Sequence, residues 1–75
     1  MTISLQCFAQ LNTYLPENAG AYTLESGDTV AAVMERLGLP QAEVKLVFIN
    51  GTKAGFHTAL RDGDRLGLFP AVSGG

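Results

Sequence analysis

The chain has 75 residues, 47% of them hydrophobic and 16% charged, with a formal net charge of −2. This is the size of one small domain with one core, and its hydrophobic share argues against disorder. A single cysteine, Cys7, and a single histidine, His57, exclude a disulfide framework and a histidine–cysteine metal cluster, and no basic run marks nucleic acid or an acidic membrane as partner.

No apolar stretch approaches the roughly 20 residues of a membrane span, and the residues after Met1 alternate rather than forming a signal peptide. A lone cysteine suits a reducing compartment, so a cytoplasmic protein is expected. Thr2 to Phe8 alternates strictly, the period of a half-buried strand. Ile3, Leu5 and Cys7 share the apolar side, where a thiol is a small, unreactive hydrophobe; Phe8 falls on the other side. Between Ala9 and Gly20, Leu11, Tyr14 and Leu15 have helical spacing, but Pro16 stops anything longer than about two turns. Glu17 to Gly20 reads as a turn, and Ala21 to Glu25 as a second strand.

Asp28 or Thr29 can cap the helix that follows. Val30, Val33, Met34 and Leu37 recur at i, i+3, i+4 and i+7, one apolar stripe, with Glu35 and Arg36 turned away and Gly38 as the left-handed terminator. Met34 belongs to that stripe rather than to a ligand set. After a connector with a turn at Pro40, Lys45 to Ile49 is a continuous apolar run, expected for a strand inside a sheet. Asn50-Gly51 signals a tight hairpin, and Thr52 to Ala54 is a short polar edge strand. Gly55 to Leu60 is loop, with His57 lacking any catalytic neighbour in the sequence. Arg61 to Asp64 is a turn, and Arg65 to Phe69 the final strand, Leu66 and Leu68 inward, Arg65, Gly67 and Phe69 outward.

Strand, strand, helix, strand, edge strand, strand is an α+β order in which one striped helix covers one face of a mixed four- to five-stranded sheet. With the first and last strands parallel, this is the ubiquitin-like β-grasp. The body is expected over 1–69, with 70–75 as a flexible tail. Gly74 and Gly75 carry no side chain and can thread a narrow channel; a segment from Phe69 to Gly75 reaches on the order of 20 Å, and its terminal carboxylate is the one reactive group it offers. Strand parity puts Phe8 and Phe69 on the face that the helix leaves open, at the same end, with Phe48 joining them. Such a patch marks an interface, unless the residues from Ala9 to Leu15 fold over it.

The pieces Phe8-Ala9, Gly27-Asp28-Thr29-Val30, Leu37-Gly38, Asn50-Gly51, Leu60-Arg61-Asp62-Gly63-Asp64-Arg65 and Phe69-Pro70 through Val72-Ser73-Gly74-Gly75 occur in that order along nearly the whole chain. In this the chain resembles the small sulfur-carrier proteins, the family of the molybdopterin-synthase small subunit and the thiamine sulfur carrier (MoaD/ThiS), and its Phe69-Pro70 is closer to the molybdopterin type. The resemblance implies a co-substrate rather than an enzyme. A ubiquitin-activating-type enzyme would join the Gly75 carboxylate to AMP at the expense of ATP. A sulfur donor would convert the adenylate to a thiocarboxylate, and the molybdopterin synthase large subunit would receive the sulfur. No cofactor is bound permanently. Gly74 and Gly75 would enter the partner's site, and Phe8, Phe48, Phe69, Pro70 and Val72 would form the docking surface. Other readings are a ubiquitin-like modifier conjugated through Gly75, a carrier for thiamine or another sulfur metabolite, and a plain binding module.

Overall fold

The computed structural model describes residues 1–71. β1 (Thr2–Cys7) and β2 (Tyr22–Thr23) pair antiparallel. α1 (Val30–Leu37) then crosses over, and β3 (Val44–Ile49) and β4 (Thr52–Ala54) form a hairpin. β5 (Arg65–Pro70) lies between β1 and β3, parallel to the first and antiparallel to the second. The order across the sheet is β2-β1-β5-β3-β4. This is the expected α+β β-grasp, with five strands and one main helix among the described residues.

Local chemistry explains each boundary. Thr29 caps α1, its hydroxyl accepting from the Ala32 N–H at 3.2 Å. The first-turn N–H groups that a helix cannot satisfy itself donate to the loop that follows β4: Val30 to the Thr58 carbonyl at 3.1 Å and Ala31 to that of Phe56 at 2.8 Å. Gly38 ends the helix at φ 74°. Asn50 and Gly51 both have positive φ, 54° and 80°, the backbone of the tight hairpin turn whose twist matches its strands.

Ile3, Leu5 and Cys7 of β1 and Leu66 and Leu68 of β5 are buried against Val30, Val33 and Met34 of α1. The inward positions therefore stand as strand parity places them.

Three local features differ from the sequence reading. The second strand has only two residues, because a 3₁₀ turn takes Ala19–Ala21; the Leu24 N–H still donates to the Met1 carbonyl at 2.8 Å. The segment after Phe8 forms a 3₁₀ helix, Ala9–Tyr14, that buries Leu11 completely. Ala9 opens it at φ 51°, a left-handed conformation uncommon for alanine, and this turn takes the chain off the sheet. The final strand runs one residue further, to Pro70 opposite Val44, which a proline permits at a strand end because no donor is needed there. β3 lies inside the sheet, between β5 and β4, as its continuous apolar run leads one to expect. A register shift between Val44 and Leu46 leaves Val44 and Val47 buried and turns Leu46 and Phe48 to the open side.

Candidate functional site

The open face of the sheet reads in rows from the strand registers. Leu46, Phe69 and Phe8 make the row at the C-terminal end of β5; Lys53, Phe48, Gly67 and Gln6 make the next; Arg65 and Ser4 make the third. Because β1 and β5 are parallel neighbours, Phe8 and Phe69 come from opposite ends of the chain to the same corner. The Phe8 N–H donates to the Leu68 carbonyl at 3.1 Å, holding that corner closed.

Phe8 and Phe69 stack, with ring centroids 4.1 Å apart and planes 5° from parallel. Phe48 meets Phe69 edge-on at 5.4 Å and 80°. The edge-on arrangement suits the ring quadrupole. Gly67 forms the floor. A Cβ built there would lie 3.5 Å from Phe8 and 3.7 Å from Phe69, so the rings lie over space that a larger side chain would occupy. Phe8 remains 39% exposed. The 3₁₀ helix from Ala9 to Tyr14 therefore does not fold over it; Leu11 goes to the core instead.

The structure thus brings together Phe8, Phe48 and Phe69, and places Pro70, half-buried, at the edge of the same corner. Val72, Gly74 and Gly75 lie outside the described residues. Gly67 takes the outward position that strand parity gave it, opposite Phe48, and Leu46 belongs to the face although sequence reasoning did not assign it. Counting back in twos from the Asn50-Gly51 turn would have placed Leu46 beside Phe48.

Other reactive groups stand apart. Cys7 is buried on the helix side, and burial pushes its thiol up, away from reactivity. His57 is exposed on the loop that caps α1. The Tyr14 hydroxyl donates to the Glu43 carboxylate at 3.3 Å; desolvation first, then the Glu43 charge, raises its pKa. Among the described residues no group of three His, Cys, Asp or Glu could hold a metal ion, and no helix is long and apolar enough to cross a membrane.

Three solved structures place this architecture. The Haloferax volcanii HVO 2177 protein is 26% identical, with TM-score 0.74, over 100% of this chain and 87% of that one. SAMP1 from Haloferax volcanii is 22% identical, with TM-score 0.71, and all of both chains is covered. A putative molybdopterin converting factor, subunit 1, from Pyrococcus furiosus is 20% identical, with TM-score 0.71, over 96% of this chain and 99% of that one. Identities of 22% and 20% speak to the fold, and that fold is the one the resemblance to the sulfur carriers implied. The comparison with curated proteins gave no match. The family model described as Mut7-C ubiquitin matches residues 1–74, and the chain belongs to that family.

Proposed function

We propose that this protein is a carrier whose body docks on a partner through the Phe8–Phe48–Phe69 face while Gly75 delivers a reactive carboxyl group into the partner's active site. The observation that carries the reading is the shared corner: β5 ends at Pro70 beside the stacked rings, so whatever seats the rings also sets where the following residues begin. The four residues after Ala71 can span at most about 14 Å, a reach suited to a channel rather than to a distant site.

The chemistry proposed is sulfur transfer. A carboxylate oxygen of Gly75 attacks the α-phosphorus of ATP, a P–O bond breaks, and pyrophosphate leaves. A donor at the oxidation level of hydrosulfide then attacks the acyl carbon; the C–S bond forms as the bond to AMP breaks, with no net redox change. The resulting thiocarboxylate is a tethered nucleophile, which raises its effective concentration at the acceptor. The adenylating enzyme and the acceptor supply the catalytic groups. Phe69-Pro70 favours molybdopterin synthesis as the pathway, with the synthase large subunit as acceptor. Conjugation of Gly75 to protein amines is a second reading, supported by the likeness to the small archaeal modifier protein 1 of H. volcanii.

The test is intact-mass spectrometry of the protein taken from its own cells, and after incubation with the adenylating enzyme, ATP and a sulfide source. Replacement of one oxygen by sulfur at Gly75 supports the carrier. Isopeptide-linked conjugates without that species would favour the modifier, and an unreacted Gly75 under both conditions would reject both.

A further inference from the structure

Of the five cations of this chain, Arg36 lies on the helix, Arg61 lies in the turn before β5, and the other three lie on strands of the sheet. Lys53 stands opposite Phe48. Arg65 stands opposite Ser4, two residues before Gly67 on the same outward parity, and Lys45 occupies the register shift between Val44 and Leu46. All three are exposed. Among the described residues the ion pairs are those of Arg36 with Glu25 and Asp28, on the helix side, so none of the three sheet cations is held in an ion pair.

The seven acids lie elsewhere. Glu25, Asp28 and Glu35 flank or occupy α1, and Glu17 and Glu43 sit in turns. Asp62 and Asp64 belong to the turn before β5, where their carboxylates accept from the Thr2 and Arg61 N–H groups at 2.8 Å. No acid occupies an outward register position of the sheet. A chain with a net charge of −2 therefore carries positive charge on the one face where its aromatic rings are gathered.

We infer that this face docks on a protein surface in which an apolar pocket is flanked by carboxylates, the pocket receiving Phe8, Phe48 and Phe69 and the carboxylates facing Lys53 and Arg65, with Lys45 at the edge. The inference rests on the proposed function and names the chemistry of its partner. Two residues along a strand advance roughly 7 Å. The Lys53 row is thus about 7 Å, and the Arg65 row about 13 Å, from the Phe69 row, both on the side away from Pro70. Lys53 and Arg65 thus flank the rings on one side, while Lys45 stands at the Pro70 end beside Val44. Paired with acids on the partner, they fix the rotation of the body about the apolar contact and so the direction in which residue 71 points.

A positive partner surface would be repelled by the same charges, so they also select. Rim charges act mainly on encounter, and buried aromatic contacts mainly on dissociation. The surface does not suit single-stranded nucleic acid. Such binding uses open aromatic faces as stacking platforms along a charged groove, whereas Phe8 and Phe69 turn their faces to each other.

The experiment is a stopped-flow measurement of association and dissociation with the ubiquitin-activating-type adenylating enzyme of the same cells as probe. Salt is set at about 30 mM and about 300 mM, bracketing the range in which the Debye length falls below the spacing of these charges. Wild-type protein is compared with the Lys45→Gln, Lys53→Gln, Arg65→Gln triple variant and with Glu35→Gln on the opposite side. The expected result is association roughly ten-fold slower in the triple variant at low salt, a difference that vanishes at high salt, with dissociation little changed. Glu35→Gln should behave as wild type. Wild-type association that is fast at low salt and insensitive to salt would overturn the inference while leaving the proposed function standing, and it needs no variant to fold. Failure of wild type to bind the enzyme at all would overturn both. Tighter binding of a short single-stranded RNA than of the enzyme, lost in the triple variant, would assign the face to nucleic acid and overturn the inference.

Discussion

Phe8, the residue after the first strand, and Phe69, in the last, stack with ring centroids 4.1 Å apart over the bare backbone of Gly67. The pair is outside the core, which closes on the other face of the sheet around Leu66, Leu68 and Met34. Phe69→Ala should therefore separate docking from folding. It removes the stack and the edge contact with Phe48, together worth about 1–3 kcal/mol in a complex if these rings are the centre of the interface. The loss of fold stability should be smaller, since a surface aromatic pair contributes about 0.5–1.5 kcal/mol. Titration calorimetry against the adenylating enzyme, set beside urea unfolding, measures both; unchanged affinity would remove the rings from the interface.

Gly67 gives a second, independent handle on the same corner. Its Cβ position meets Phe8 and Phe69 at ordinary contact distance, so Gly67→Ala should fold and bind as wild type. Gly67→Val adds two methyl groups beneath the rings and should push them apart, weakening docking by about 1–3 kcal/mol through overpacking. A valine variant that binds as tightly as the alanine variant would show that the stacked geometry is not what the partner reads.

The corner was legible in the sequence because strand parity is a hard constraint: with Ile3, Leu5 and Cys7 inward, Phe8 has to point out, and Leu66 and Leu68 dispose of Phe69 likewise. The capped helix and the Asn50-Gly51 hairpin were legible for similar reasons, each written in a few adjacent residues. Leu46 was hidden by the register shift at Lys45, since a continuous apolar run carries no parity of its own. Leu11, Tyr14 and Leu15 show helical spacing, but the burial of Leu11 was not legible, because the positive φ at Ala9 that opens this turn has no signature in an alanine. The short second strand has a similar origin, a turn at Ala19–Ala21 whose small residues do not show where a turn ends and a strand begins.

Those two kinds of core position can be compared directly. Leu68, in the centre of the sheet, and Leu11, in the 3₁₀ helix, are both completely buried. Leu68→Ala and Leu11→Ala should each cost about 2–5 kcal/mol, a large part of the stability of so small a domain. Chemical denaturation reads both. A loss under about half a kcal/mol for Leu11→Ala would mean that the segment collapses onto the space left behind and contributes little to the core.

The Asp28 carboxylate ties the approach to α1 to the last turn of the helix. It accepts from the Glu25 N–H at 2.8 Å and pairs with Arg36, whose guanidinium also lies 5.7 Å from the Tyr22 ring centroid. The backbone hydrogen bond from Glu25 foremost, opposed by desolvation and reinforced by Arg36, holds the Asp28 carboxyl below the usual range. A folded pKa below the unfolded one contributes stability that is fully present above the unfolded value, about 4, and is lost as pH falls through the folded value. Asp28→Ala should accordingly cost about 1–3 kcal/mol at neutral pH, and the gap to wild type should close below about pH 4. Urea midpoints measured across that range test it, and a gap independent of pH would assign the loss to packing instead of charge.

The last expectation concerns Gly75. If its carboxylate is the group that is activated, removing Gly75, or adding a residue after it, should abolish AMP transfer to the protein by the adenylating enzyme. Stability should be unchanged, because the buried residues named above all lie between Ile3 and Leu68, and β5 ends at Pro70. Docking should survive as well, because Phe8, Phe48 and Phe69 are untouched; the truncated protein should compete with wild type for the enzyme and inhibit it. Gly74→Ala should give a milder version, full docking with slower adenylation, as one methyl group meets the wall of a channel shaped for bare backbone. Radiolabelled-ATP exchange with pyrophosphate follows activation, and competition binding follows docking. Adenylation that persists without Gly75 would place the reactive group elsewhere. Loss of docking together with loss of exchange would instead show that the end of the chain contributes to binding, and the separation of a seating face from a delivered carboxyl group would fail.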